Sequence, residues 1–282
     1  MTQWEERISG GSDVLLLAEH QVRYGWAKGP ISSATTWCDL GCGTAAASSV
    51  ALGDTLPDRV VLTDLELDAL TEARRAFSPV DVDTVQVDLT SRSALDELTE
   101  RIDGDGPTVI TCFEVIEHLP DFLPVVEWLS ARAADGATVA ISVPNDVFTS
   151  VKNPFHVTMW GSSTVEELRG LLPTDHVAAV QVALSGSAVT AGAPVEGSLH
   201  VDDIGAAIPL QYLFGFGTSA EDLSPNAAVL PTEVAAQRVW ERQREVDNAY
   251  FRSEAAQAAV LRERVAELEA ELGRLRNQVG QR

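Results

Sequence analysis

The sequence predicts an α/β domain: a mostly parallel seven-stranded sheet with helices on both faces, plus a C-terminal helical coiled coil. Three observations predict it. From residue 36 short strands rich in Val, Ile and Thr alternate with helical patterns, as parallel strands joined by crossover helices do. The first strand runs directly into a glycine turn, Trp37-Cys38-Asp39-Leu40-Gly41-Cys42-Gly43, and Asp64 ends the second strand 21 residues after Gly43. The last fifty residues carry apolar positions at alternating spacings of four and three.

The elements follow in order. Residues 12–28 read as a helix, capped by Ser12, with Asp13 in its first turn and Leu15, Leu16, Ala18, Val22 and Trp26 as apolar positions; Gly29-Pro30 is expected to end it. Strands are expected at Thr36–Asp39, Arg59–Asp64, Thr84–Asp88 (starting as early as Asp81), Thr108–Phe113, Ala137–Val143 and His176–Ala183, with a seventh near Ser198–Val201. Helices fill 44–53, 66–77, 92–102, 121–134 and 162–173. Residues 184–232 are dominated by Gly, Ala, Ser and Pro. Within them Ile208–Phe216, with Tyr212, Phe214 and Phe216, fits packing on a core edge better than a lid. The domains are therefore an N-terminal helical cap (1–35), the α/β domain (36–205), a linker or lid (206–232) and the C-terminal helix (233–282). In that helix Leu261, Val265, Leu268, Leu272, Leu275 and Val279 form an a/d seam of about three heptads. So short a seam needs the preceding helix or a partner, which points to a homo-oligomer or to docking of another protein.

Charge narrows the partners. The 282 residues carry a net charge of −22, and all of it lies in residues 1–232, where 33 acidic residues face 11 basic ones. A nucleic-acid backbone is gripped by Lys and Arg, and no basic cluster exists to do so; nucleic acid is disfavoured. Cys38, Cys42 and Cys112 fit neither a disulfide framework nor a zinc site and read as reduced thiols of a cytoplasmic protein. The acidic N-terminus lacks the apolar stretch of a signal peptide, and no run of about 20 apolar residues offers a membrane span.

The glycine turn lets backbone approach a ligand closely, and Asp64 is placed to accept hydrogen bonds from a ribose diol. Asp39-Leu40-Gly41-Cys42-Gly43-Thr44 resembles motif I of the class I S-adenosylmethionine-dependent methyltransferases, over about residues 36–185. The third glycine of the dinucleotide dehydrogenases is missing, with Ala46 in its place. The resemblance implies a Rossmann-like fold and S-adenosylmethionine as cofactor. Gly41, Cys42 and Gly43 would cradle its methionine moiety and Asp39 would reach the amino end, directly or through water. Asp64 and Leu65 would lie at the ribose, Asp88 and Leu89 at the adenine, with Phe113 and Glu114 completing the pocket. Asp64 and Asp88 also fit simple helix caps after strands.

A second group follows the fourth strand: Phe113-Glu114-Val115-Ile116-Glu117-His118-Leu119-Pro120-Asp121. If Glu114 to His118 form a helical turn, Glu114, Glu117 and His118 share a face. With His156 of Asn153-Pro154-Phe155-His156 they would make a four-ligand site for Mg²⁺ or Mn²⁺, the imidazoles tilting it toward Mn²⁺ or Fe²⁺. The pattern resembles ubiquinone-pathway O-methyltransferases, small-RNA 3′-end ribose methyltransferases, and bacterial methyltransferases of sugar and cell-envelope pathways. In the last group the histidines can act without metal. Methyl transfer to a hydroxyl needs in-line alignment and removal of the hydroxyl proton, so His118, His156 and Glu117 are the catalytic candidates, as base or as metal ligands. The same residues fit a loop clamp, with His118 bonding backbone and Glu117 capping the next helix. Asn145 stands at the same sheet edge, and His20 and Tyr24 share one face of the N-terminal helix. The expected reaction is O-methylation of a sugar, glycan or small-metabolite hydroxyl. The alternatives are ribose 2′-O-methylation at an RNA 3′ end, or a non-catalytic scaffold that keeps the cofactor fold.

Overall fold

The structure, a computed structural model, describes residues 14–147, 153–182, 209–223 and 227. Helix α1 (Val14–Ser33) leads into β1 (Thr36–Leu40), α2 (Ala46–Leu52), β2 (Arg59–Asp64), α3 (Leu67–Ala76), β3 (Asp83–Gln86), α4 (Arg92–Ile102) and β4 (Thr108–Phe113). A 3₁₀ turn (Ile116–His118), α5 (Leu123–Ala134), β5 (Thr138–Pro144), α6 (Ser162–Leu171), β6 (Val177–Gln181) and β7 (Gln211–Gly217) follow. Among the described residues the strands form one seven-stranded sheet, ordered β3-β2-β1-β4-β5-β7-β6. All neighbours are parallel except β7, which runs antiparallel to β5 and β6.

Strands β1 and β5 are buried along their whole length, which is why they read as near-continuous apolar runs. Their side chains alternate between two cores. Cys38 and Leu40 join Ile110, Cys112, Val139 and Ile141 against α4, α5 and α6 on one face. Trp37 joins Val60, Leu62 and Val109 against α1 and α3 on the other. This alternation puts Asp39 on the α1 face. Between β1 and β4 the direction of strand addition reverses, and such a switch point opens a crevice at the carboxyl ends of the strands. Helix α4 is capped by Ser91, whose Oγ accepts from the Ala94 amide at 3.3 Å. Cys38, Cys42 and Cys112 are buried and in no disulfide. Among the described residues no helix is long and apolar enough to cross a membrane.

Three expectations are corrected. Helix α1 does not stop at Gly29-Pro30 but runs to Ser33, because Ala27 and Ile31 are fully buried and their packing outweighs the one backbone bond that Pro30 cannot make. Its buried stripe is also different. Ala18 and Trp26 are inside, but Leu16 is 42% exposed, and Arg23, Ala27 and Ile31 form a fully buried row at four-residue spacing. The seventh strand is Gln211–Gly217, inside the segment read as a linker or lid. Phe214 and Phe216 are buried, and β7 pairs with β5 over seven residues. The strand expected near Ser198–Val201 and the C-terminal coiled coil lie outside the described residues.

Candidate active site

The loop after β1 is built from left-handed residues. Gly41, Gly43 and Ala45 have φ of 64°, 55° and 54°. A Cβ at Gly41 would come within 2.6 Å of the Val115 side chain, whereas one at Gly43 would meet nothing within 4 Å. So Gly41 is small to admit the 3₁₀ segment, and only Gly43 faces open space. The Cys42 amide donates to the Thr63 carbonyl at 2.8 Å, docking the loop on β2. Asp64, at the tip of β2, accepts from the Gly43 amide on Oδ2 and the Glu66 amide on Oδ1, both at 2.9 Å. Leu65 beside it is 51% exposed. Asp88 lies two residues past the end of β3 and is exposed. Its Oδ1 accepts from the Thr90 amide (2.9 Å) and hydroxyl (2.7 Å), bonds that hold its pKa below the ordinary value. Leu89 is buried. These groups stand at or just past the carboxyl ends of β1, β2 and β3 and could hold an adenosine moiety, with Gly43 leaving room for the rest of the cofactor.

Asp39 faces away from solvent. It is 1% exposed, accepts from the Tyr24 hydroxyl at 2.9 Å and from the Thr111 hydroxyl at 2.6 Å, and Trp37 Nε1 donates to the same Thr111 oxygen at 2.8 Å. Burial pushes its carboxyl up to about 7 against the pull of both hydrogen bonds. The Tyr24 ring stacks edge-on against Phe113 at 5.2 Å, so Phe113 belongs to an aromatic cluster with α1.

The acid–histidine group is arranged differently from a single helical turn. Glu114 has φ 57°, outside the 3₁₀ turn, and its Oε1 accepts from the Ser142 hydroxyl at 2.7 Å. Among the described residues it is not part of the group of Glu117, His118 and His156, whose candidate ligand atoms all lie within 4.8 Å of one another. The left-handed residue breaks the i, i+3, i+4 relation on which the four-ligand expectation depended.

Each histidine is oriented by an oxygen. His118 Nδ1 is 3.1 Å from the Phe155 carbonyl, which only accepts, so Nδ1 carries the hydrogen and Nε2 the lone pair, 3.8 Å from Glu117 Oε1. His156 Nδ1 is 2.6 Å from Asp146 Oδ1 and donates to it by the same logic; its Nε2 accepts from the Asn153 amide at 2.9 Å. Asp146 is itself fixed by the Trp160 amide at 2.7 Å. A carboxylate behind an imidazole is the usual support of a ligating histidine. Glu117 is 1% exposed and its Oε2 has no hydrogen-bond partner. Burial first, then the Glu114 charge, pushes its carboxyl well above the ordinary range. Its carbonyl accepts from Val157 and Thr158, which locks the segment carrying His156 onto the 3₁₀ turn. The clamp is therefore half present: His118 does bond backbone, but Glu117 caps nothing with its side chain. One acid and two imidazoles, that of His156 once its Nε2 is released from Asn153, could hold a divalent cation or pass a proton.

Residues 16–180 match the family described as a methyltransferase domain. The chain belongs to that family. It is a class I S-adenosylmethionine-dependent methyltransferase. The methyltransferase is similar to the solved methyltransferase domain of bacterial CtHen1 (17% identity, TM-score 0.48, 71% of this chain and 100% of that one). It is also similar to the N-methyltransferase NodS of Bradyrhizobium japonicum in complex with S-adenosyl-L-homocysteine (13%, 0.45, 73% and 88%). A third is the plantazolicin methyltransferase BpumL (10%, 0.45, 72% and 83%). No curated protein matches the sequence.

Other polar residues of the methyltransferase, Asn145 of the same sheet edge among them, are held by partners of their own. Asn145 spends its amide on the Pro209 carbonyl at 2.7 Å, tying β5 to the segment before β7. His176 bonds the Pro173 carbonyl at 2.7 Å and packs on Phe214. Thr111 and Asp146 gave no motif, since each acts through a partner distant in sequence. Arg23 had one signal, a charge at the fourth position before Ala27 in an otherwise apolar stripe.

Proposed function

We propose that this methyltransferase transfers a methyl group from S-adenosylmethionine to a hydroxyl oxygen of a sugar, glycan or small metabolite. The carrying observation is the convergence of Glu117, His118 and His156 at the carboxyl edge of β4 and β5, beside the cofactor crevice. A sulfonium methyl needs no further activation, but a neutral hydroxyl is a weak nucleophile until it loses its proton. His118 Nε2 is the nitrogen placed to accept that proton; the His156 Nε2 lone pair is engaged by the Asn153 amide and must be released before it can do so.

The same three side chains would hold Mn²⁺ or Mg²⁺. The buried, unpartnered Glu117 Oε2 and the oxygen-backed imidazoles fit such an ion. When bound, the ion lowers the pKa of an oxygen it contacts. Cofactor contacts are proposed at Gly43, Asp64, Leu65, Asp88 and Leu89; Asp39, buried and held by Tyr24 and Thr111, stands behind them.

A second reading, ribose 2′-O-methylation of an RNA 3′ end, is favoured by the acid–histidine cluster and opposed by the excess of acidic residues. The deciding experiment is a methyl-transfer assay with labelled S-adenosylmethionine. Sugars, glycans and RNA oligonucleotides are each supplied with and without Mn²⁺. Labelling of a hydroxyl on a neutral or acidic saccharide supports the first reading. Mn²⁺-dependent labelling of RNA alone overturns it in favour of the second.

A further inference from the structure

Arg23 of α1 is fully buried, and it is underused. Its Nη1 donates to Gln181 Oε1 at 3.1 Å, but Nε and Nη2 have no partner. On a planar guanidinium, Nε–H and one Nη2–H point along the same edge. The two idle donors therefore form one fork, the geometry that grips both oxygens of a carboxylate or two oxygens of a phosphate. Arginine cannot shed its proton to escape burial, and a buried charge without a counter-charge is among the costliest arrangements in a protein.

The surroundings hold this fork in place. Gln181 Nε2 donates to the Glu19 carbonyl at 3.0 Å, which fixes the amide that fixes Arg23. Gln211 stands directly across from Gln181 in the β6–β7 register, and its buried Oε1 also has no partner. Gln181 ends β6 and Gln211 begins antiparallel β7 opposite Pro144, so both lie at the carboxyl edge of β5, where the active site is. The Arg23 charge is felt at Glu117, where it opposes the upward push on that carboxyl, yet no ion pair joins the two among the described residues. His20, one turn earlier, is kept neutral down to about pH 2 by burial and by the Arg23 charge, so the positive charge at this spot belongs to Arg23.

We infer that Arg23, steadied by Gln181 and joined by Gln211, is the subsite for an oxyanion carried by the methyl acceptor. The acceptor is then an acidic hydroxyl compound, a hydroxy acid or a phosphorylated alcohol. Its carboxylate or phosphate sits on the Arg23 fork and a hydroxyl is presented toward Glu117, His118 and His156. Gln211 Oε1 would accept from a second hydroxyl. This inference rests on the hydroxyl-methylation reading for the direction in which the acceptor points, but not for the anion itself. It also accounts for a cationic anchor in a chain whose acidic excess would otherwise repel such a substrate.

The test uses the full chain saturated with S-adenosylhomocysteine. Thermal unfolding is followed with glycolate, inorganic phosphate or ethylene glycol at constant ionic strength. Glycolate or phosphate is expected to raise the midpoint with a saturating dose response, and ethylene glycol to leave it alone. The anion that acts tells carboxylate from phosphate. Arg23→Met should abolish the saturable part, while S-adenosylhomocysteine affinity by calorimetry stays unchanged. Gln181→Met, which frees the fork without removing it, should weaken the response by roughly tenfold, and it decides the matter if Arg23→Met does not fold. A wild-type response to neither anion, or one undiminished in these variants, overturns the inference. Glu117→Gln separates the two readings: it should lose methyl transfer and keep the anion response. If it keeps both, the hydroxyl-activation reading falls and the Arg23 subsite stands.

Discussion

His118 and His156 meet edge to face with ring centroids 5.1 Å apart, although 38 residues separate them in the chain. Each turns its Nδ1 to a fixed oxygen; His118 Nε2 lies 3.8 Å from Glu117 Oε1, and His156 Nε2 accepts from the Asn153 amide. Two imidazoles held this way are spared the cost of ordering when an ion or a hydroxyl arrives. His118→Ala and His156→Ala are therefore expected to lose turnover by roughly a hundredfold or more while binding S-adenosylhomocysteine as the wild type does. Full turnover in both variants on the true acceptor would remove them from the chemistry.

Asp146 acts one step behind His156, at 2.6 Å from its Nδ1. Asp146→Asn keeps the shape and removes the charge that makes the imidazole a better donor. Mn²⁺ affinity, read by calorimetry, should fall by about 10- to 100-fold. Equal Mn²⁺ affinity in wild type and variant would mean that the cluster does not bind the ion through His156.

Asp39 gives a pH prediction with a definite sign. Its carboxyl titrates near 7 in the folded protein against an ordinary value of 3.8. Between those values the unfolded chain has lost the proton and the folded one retains it. Stability from this group therefore falls as pH rises from about 4 to 7 and is level above that, a change on the order of a few kcal/mol. His20 pulls the other way, since its folded pKa is about 2 and its ordinary value 6.5, so it costs stability as pH falls below 6.5. The quantity to measure is therefore the difference between wild type and Asp39→Asn in urea melts across this range. A flat difference would show that Asp39 ionises normally. If the cofactor amino group reaches Asp39, binding should also release a proton, and affinity should weaken below pH 7.

The sheet was legible because its central strands β1, β2, β4 and β5 are buried on both faces and punctuated by Gly, Pro and Asp, and Arg59–Asp64 and Thr108–Phe113 agree to the residue. β7 was not legible. Its Gly215 and Gly217 weaken a strand pattern, and only its pairing with β5 and β6 makes it one; a Cβ at Gly215 would strike Leu223. The β1 loop and the tip of β2 could be read from Asp39, Gly43 and Asp64 because a turn and a strand tip are local features. Asp39's partners could not, since Tyr24 and Thr111 reach it from α1 and β4. The acid–histidine group shows the limit most sharply. Spacing places Glu114 with Glu117, but one left-handed residue sends it to Ser142. Arg23 was hidden for a related reason: a single charge in an apolar stripe carries meaning only once its missing partners are known.

The heptad seam from Leu261 to Val279 is expected to join copies of the chain or dock a partner. Removing residues 258–282 should lower the mass seen in light scattering and leave cofactor binding intact. An unchanged mass at the same concentration would refute self-assembly through this seam.

The two glycines of the β1 loop separate a packing role from a ligand role. At Gly41 an added methyl meets Val115 at 2.6 Å and must also accept φ 64°. Gly41→Ala should then cost roughly 2–4 kcal/mol, from overpacking and from the left-handed backbone together. Pairing it with Val115→Ala should recover the overpacking part alone. At Gly43 the methyl meets nothing in the protein, so Gly43→Ala should cost only the roughly 1–2 kcal/mol of its left-handed backbone. It should instead weaken S-adenosylhomocysteine binding, because the space it fills is the space proposed for the cofactor. Unfolding midpoints and calorimetry on the two variants read the contrast. If Gly43→Ala bound the cofactor as tightly as wild type, the crevice beside Asp64 would not be where the cofactor's sulfonium end lies.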